Sequence, residues 1–210
     1  MNRQIRLAVL GIALFVFVAC AAKVVTVIPP KLDLTGYGSI GVIEFSSSKY
    51  PELRELATQR FLQVMQSAQT GVPVLELGDE RHVLEAVGHD EWNFEAVRAI
   101  GEKFHINSLL VGKLDVTEIK PKIRLSTSLN ALKVKAQIEA SLSVKLHSTD
   151  SGATRWTKSA RGAKTVAQVS LLKRGKPRVN AGDPEGAHAS LVSWLVDQVT
   201  DDLRPHYAKR

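Results

Sequence analysis

From Val134 to Leu146 apolar and polar positions alternate without a break. Val134, Ala136, Ile138, Ala140, Leu142, Val144 and Leu146 fall on one side; Lys135, Gln137, Glu139, Ser141, Ser143, Lys145 and His147 fall on the other. Successive side chains of a strand point to opposite faces, so this pattern predicts a long strand with one buried and one polar face. Asp150-Ser151-Gly152 is a turn signal, and residues 154–160 return as an antiparallel partner. Upstream, Ile123, Leu125, Thr127 and Leu129 alternate as well and turn near Asn130-Ala131. The second half of the chain therefore reads as an antiparallel meander.

The first half has a different period. Residues 39–45 form a compact apolar run that suits a buried strand. Pro51 and Glu52 then open a helix over about 51–69, with Leu53, Ala57, Phe61, Val64 and Met65 at helical spacing and Gly71 as its stop. A short strand follows at 72–77. Asp79 caps a helix carrying Val83, Leu84 and Val87, closed by Gly88, and a further helix spans about 93–104 with Gly101 inside it. Residues 106–116 begin as a buried run and then alternate. Strands alternating with helices predict parallel neighbours joined by right-handed crossovers. A last helix starts at Asp183-Pro184, presents Ala187, Leu191, Trp194, Leu195, Val199 and Leu203, and ends at Pro205. The stretch 162–183, rich in Gly, Lys and Pro, reads as a mobile loop. The fold class is α/β (α+β): a mixed sheet with a parallel βαβ first half, a long antiparallel meander and a C-terminal helix packed on the sheet. Helices are expected on one face, leaving the other more exposed.

The N-terminus changes the picture. Arg3 and Arg6 precede an apolar run over residues 7–18, which is short for a membrane span and fits a signal peptide. Phe17-Val18-Ala19-Cys20 resembles the lipobox of bacterial lipoproteins, with the only cysteine, Cys20, as the residue that would carry palmitate and become the mature N-terminus. Two other readings compete: an A-x-A site at Ala19-Cys20-Ala21, and an uncleaved anchor, since apolarity resumes at residues 24–28. With Cys20 acylated the folded part has no cysteine, so neither a disulfide nor a cysteine metal ligand is available to it. Residues 1–20 are then the leader, 21–38 an extended tether containing Pro29-Pro30, and 39–210 a single domain.

Charge is uneven along the chain. Residues 120–178 carry fourteen Lys and Arg against only Glu139 and Asp150. Such a region attracts anions. An exported protein meets anionic lipid, envelope polymer and acidic proteins rather than nucleic acid. The candidate partner-binding residues are Lys135, Lys145, Arg155 and Lys158 on the sheet, and Lys173, Arg174, Lys176 and Arg178 in the loop. A solvated strand face is the competing explanation.

Catalytic signals are missing from the sequence. The six histidines are scattered, without H-E-x-x-H or a close carboxylate cluster, and there is neither a G-x-S-x-G elbow nor a phosphate-cradling glycine loop. His82, Glu85 and His89 share helical spacing but read as surface polar residues. No metal and no cofactor is expected, and no enzymatic activity. Trp92, Trp156 and Trp194 read as core or edge aromatics.

The order of several short motifs resembles a family. Ile40-Gly41-Val42-Ile43-Glu44-Phe45, then Val74-Leu75-Glu76, Ala99-Ile100-Gly101, Asn107-Ser108-Leu109-Leu110-Val111-Gly112, and the segment 144–152 followed by Trp156 are similar in sequence and order to the CsgG-like lipoproteins, relatives of the curli-secretion lipoprotein and of the lipoproteins that activate penicillin-binding proteins. The resemblance implies a periplasm-facing α/β domain lipid-anchored to the outer membrane, working by contact with an envelope protein and not by catalysis; the charge distribution adds an anionic envelope polymer as the other candidate partner. Its alternative implication is a homo-oligomeric secretion pore that uses the hairpin at 119–146.

Overall fold

The computed structural model describes residues 25–117, 120–125, 131–172, 178–181 and 183–209. Its elements, in chain order, are β1 (Val25–Ile28), β2 (Ile40–Ile43), α1 (Pro51–Ala68), β3 (Val74–Gly78), α2 (Glu80–Val87), α3 (Phe94–Phe104), β4 (Ser108–Val116) and β5 (Lys120–Leu125). They continue with β6 (Ala131–Ser148), β7 (Thr154–Leu172), β8 (Arg178–Ala181), α4 (Pro184–Val199) and β9 (His206–Lys209). The chain divides into two compact units, one of residues 31–204 and a smaller one containing β1 and β9.

Local chemistry explains the helix boundaries. Pro51 occupies the first turn of α1, where its missing N–H costs nothing. Asp79 accepts from His82 N–H at the start of α2, and Asn93 accepts from Ala96 N–H at the start of α3. Gly88 ends α2 in the left-handed region, φ 73°, which glycine enters without strain.

The larger unit is built on one mixed sheet in the order β3-β2-β4-β6-β7-β8, with β5 also pairing β6. β2 is parallel to both β3 and β4, and every later pairing is antiparallel. Along β6, the half near Gln137 pairs β5 and the half from Ala140 pairs β4. α1 and α4 cover one face: Ala57, Phe61, Met65, Leu191, Leu195 and Val199 meet Val42, Leu110, Leu142, Val144 and Leu146 there. This is the apolar set that the alternation in β6 predicts. The other face is bare only in part, because α2 and α3 bury Val83, Val97 and Ile100 against Ile43, Ile106 and Leu109. One-sided helix cover was expected; the continuous apolar run at the start of β4 is what allows burial on both sides.

Two further expectations are corrected. The stretch 162–183 contains strand and not only loop: β7 runs on to Leu172, and β8 pairs back from Ala181 opposite Ala167 to Arg178 opposite Ser170. Gly162 falls within β7 because the space is taken, since a Cβ there would lie 2.6 Å from the Trp194 ring on α4. Residues 21–38, expected to be an extended tether, are not free of the fold throughout. Leu34 is only 1% exposed and belongs to the core of the larger unit, while Val25–Ile28 pairs antiparallel with His206–Lys209 in the smaller one. α4 ends at Val199, and a separate 3-10 turn, Asp201–Leu203, buries Leu203. The leader and Cys20 lie outside the described residues.

Candidate functional site

Where the cover of α2 and α3 stops, the polar side of β4 and β6 forms the floor of a cavity of about 540 Å³. Register fixes that floor. Val111 opposes Lys145, and Lys113 opposes Ser143, with His147 further along β6 opposite Leu109. Lys113 and Lys145 are therefore diagonal neighbours, about 7–8 Å apart at the backbone. The wall comes from the start of α3, with Trp92, Phe94 and Val97 lining it. Phe94 lies against the β6–β7 turn, where a Cβ on Gly152 would sit 2.4 Å from its ring. The Trp92 ring N–H donates to Glu80 Oε1, which ties the wall to α2.

The charges are set by these surroundings. Lys145 is exposed, and among the described residues it has no ion-pair partner; Lys113 Nζ lies 3.5 Å from Asp115 Oδ1. Burial pushes the His147 imidazole below its ordinary pKa, and the Lys145 charge pushes the same way, against a hydrogen bond with the Gly152 backbone. At neutral pH the ring is uncharged and can exchange a hydrogen bond with Thr154 Oγ1, 3.3 Å from Nδ1. The floor thus presents two ammonium groups and a neutral ring beside an aromatic wall. This suits an anion attached to an apolar body.

A second cavity, beside the ends of β2 and β3 and the start of α2, contains two internal charge pairs. Arg54 Nε pairs with Glu44 at 3.0 Å, and His82 pairs with Asp79. That aspartate raises the His82 pKa. Among the described residues no group of His, Cys, Asp and Glu is placed to hold a metal, and no helix is long and apolar enough to cross a membrane.

Those of the predicted basic residues whose side chains are described do not gather into one patch. Lys135 and Lys145 share a face of β6 but stand ten residues apart, about 33 Å along a strand. Lys158 opposes Val144 and so belongs to the helix-covered face, where its Nζ lies 2.9 Å from Asp202 Oδ1. Arg155 is exposed at an irregularity where the register shifts between Leu146 and His147. Arg178 begins β8; Lys173, Arg174 and Lys176 lie outside the described residues. Sequence reasoning missed Lys113, His147 and Phe94, and gave Trp92 only a core role. Trp92 does pack on the second apolar cluster, so that reading captured half of its position. Lys113 was recoverable: it lies two residues beyond Val111 in the alternation of β4.

The architecture and cavity define a mixed α/β domain with a basic, aromatic-walled site on its partly open sheet face. No family model matches the chain, and none of the curated proteins matches it in sequence. Similar solved structures exist, lipoproteins among them. The PelC dodecamer from Paraburkholderia phytofirmans is 13% identical, covers 86% of this chain and 97% of that one, and has a TM-score of 0.43. Lipoprotein GNA1162 from Neisseria meningitidis is 15% identical, with 78% and 98% covered and a TM-score of 0.37. The LpoB C-terminal domain from Salmonella enterica is 10% identical, with 60% and 83% covered and a TM-score of 0.36.

Proposed function

We propose that the chain is a CsgG-like lipoprotein, anchored through Cys20 to the outer membrane and facing the periplasm, that works as a non-catalytic adaptor or assembly factor. The observation that carries this reading is Lys145, an ammonium with no ion-pair partner among the described residues, beside Lys113 on the floor of a cavity walled by Trp92 and Phe94. Such a site takes an acidic segment of a partner protein, with a carboxylate on the lysines and an apolar side chain against the rings. Recognition of this kind needs complementary charge and shape, and no group that moves a proton or attacks a bond.

The test is a photocrosslinkable residue at Ser143 in the native envelope, with position 66, exposed on α1, as a control. One discrete adduct at Ser143 is expected, and Lys113→Glu with Lys145→Glu reduces its yield about tenfold, the effect of repelling an acidic partner. Lys135→Glu leaves it unchanged. An adduct indifferent to the double reversal overturns the site, and loss of palmitate incorporation on Cys20→Ala checks the anchor separately. The alternative, an oligomeric outer-membrane pore, draws on the β5–β6 hairpin, which pairs from Lys120 opposite Gln137 to Leu125 opposite Leu132. Sizing of the detergent-extracted chain distinguishes the two, because a pore requires a large ring.

A further inference from the structure

The second cavity has a definite place in the topology. β2 and β3 are parallel neighbours, yet the chain leaves β2 for α1 on one face of the sheet and leaves β3 for α2 on the other. Where neighbouring parallel strands send their connections to opposite faces, a crevice opens beyond their carboxyl ends, and α/β sheets take their ligands there. The cavity, of about 620 Å³, occupies that crevice, lined by Glu44 and Ser47 after β2 and by Asp79 and Glu80 after β3. The Ser47 hydroxyl oxygen is buried and has no hydrogen-bond partner among the described residues, whereas buried polar groups are normally paired. A ligand's backbone is one source of that partner.

Its charge is opposite to that of the first cavity. Beyond the two internal pairs, Glu80, Glu85 and Asp90 line it without an ion-pair partner among the described residues, against one further guanidinium, Arg81. The two cavities also meet, because Ser46 and Glu80 line both. Both residues at this junction are held in place: Ser46 N–H donates to Gly112 C=O and Ser46 C=O accepts from Leu114 N–H, each at 2.8 Å, and Glu80 accepts from the Trp92 ring N–H. We infer that the cavities are two halves of one groove that takes a single extended segment of a partner protein, acidic at one end and basic at the other. The inference rests on the acidic-segment reading of the first cavity and adds the rest of the segment. Its carboxylate sits on Lys113 and Lys145, an apolar side chain lies against Trp92 and Phe94, and a lysine or arginine reaches Glu80, Glu85 and Asp90. Cavities of about 540 and 620 Å³ are each about 10 Å across, and a strand rising about 3.3 Å per residue crosses both in about six residues. Opposite charges at the two ends also fix the direction of the segment, since the reversed arrangement sets like charges together.

The full chain in its native envelope carries the test, with a photocrosslinkable residue at Ser143 in the first cavity and, in a separate variant, at Arg81 in the second. Both positions should capture the same protein, at sites within about six residues of each other in its sequence. An aspartate or glutamate should lie by the Ser143 adduct, and a lysine or arginine by the Arg81 adduct. Glu85 and Asp90 are exposed, so their replacement leaves the fold intact, which a thermal melt checks. Glu85→Lys with Asp90→Lys should lower the Ser143 yield about tenfold, and the milder Glu85→Gln with Asp90→Asn about threefold. Glu102→Lys, exposed on α3 and outside both cavities, should leave it unchanged. A Ser143 adduct indifferent to both pairs of substitutions overturns the shared groove while the acidic-segment reading stands. So does an Arg81 variant that captures nothing, a different protein or a distant part of the same one. A yield that falls as far with Glu102→Lys reports net charge and overturns the groove as well. No adduct at Ser143 overturns the groove and the acidic-segment reading together.

Discussion

Gln69 is the residue whose replacement tests the packing of the larger unit most directly. It follows α1, is 7% exposed, and spends its side chain on three backbone groups from two distant segments. Its Oε1 accepts from Leu34 N–H at 3.1 Å, and its Nε2 donates to Leu32 C=O at 3.0 Å and to Leu203 C=O at 2.7 Å. Leu34 and Leu203 are each 1% exposed, so neither finds water when the amide is removed. Gln69→Leu keeps the volume and strands two buried groups, each at about 1–3 kcal/mol, against a small gain from the added apolar surface. The expected loss is about 3 kcal/mol. For a unit of this size that is a fall in Tm of roughly 6–12 °C. Urea unfolding should show the loss as a lower midpoint at unchanged slope.

Gln69→Glu separates hydrogen bonding from packing. Its carboxylate still accepts from Leu34 N–H but faces the Leu32 and Leu203 oxygens with no proton to give, so at neutral pH it should be at least as harmful as leucine. When acidified, the carboxyl regains one donor. Its deficit relative to the parent should therefore shrink as pH falls, while that of Gln69→Leu stays flat. A loss under about 1 kcal/mol for leucine, or parallel pH profiles for the two variants, would refute the assignment of Gln69 as the latch between residues 32–34 and Leu203.

Gly101→Ala in α3 sets helix propensity against packing. Propensity favours alanine by about 1 kcal/mol, but the new Cβ would lie 2.4 Å from Thr149 Cβ, and Thr149 is held by its hydroxyl on Ile106 C=O at 2.9 Å. A net loss of about 1–2 kcal/mol in urea unfolding is expected, and a gain would show that Thr149 yields. Two groups should shape the pH profile. Burial would raise the Asp202 pKa, but hydrogen bonding and charge from Lys158, with help from the Trp156 ring N–H and Lys31, leave it lowered. Its contribution is therefore present above the ordinary carboxylate pKa of about 4 and lost as pH falls through the folded value. His147 is lowered as a base, so its share is present above about 6.5 and is lost as acid charges the ring. Asp202→Asn should flatten the acid limb of a thermal-melt series, and His147→Asn the limb just below neutrality.

Much of the fold was legible because local and tertiary signals agree. In β6 every second residue is apolar, and the buried set of Ile138, Ala140, Leu142, Val144 and Leu146 is the one the alternation picks out. The helices carry their own caps in Asp79, Asn93 and Asp183. What was not legible depends on partners far away in sequence. Gly162 reads as a breaker until Trp194 is seen to occupy the place of its side chain, and the glycine, lysine and proline around it hid the extension of β7. Leu34 reads as tether until Gln69 is seen to hold its N–H. The site was half legible for the same reason: Lys145 stood out in the alternation, whereas the aromatic wall exists only because the turn at Gly152 comes back against Phe94.

The two faces of the β6–β7 pair show why charge counting along the chain does not by itself locate a basic surface. Lys145 and Lys158 both belong to the basic stretch, yet Thr157 and not Lys158 opposes Lys145. That one-residue offset sends Lys158 to the helix-covered face, where Asp202 neutralises it at 2.9 Å. Arg161, opposite Ser141, does share the open face, but Glu139 stands 3.4 Å away. Of the cations on the described part of that face, Lys145 is the one beside an apolar wall and without a carboxylate, so it has the most to gain from an acidic ligand. An exposed pair such as Arg161–Glu139 contributes about 0–1 kcal/mol, and exchanging its carboxylate for a partner's gains little. Charge reversal at Lys145 should therefore weaken docking more than reversal at Arg161, although the two residues carry the same charge and lie on the same side of the sheet.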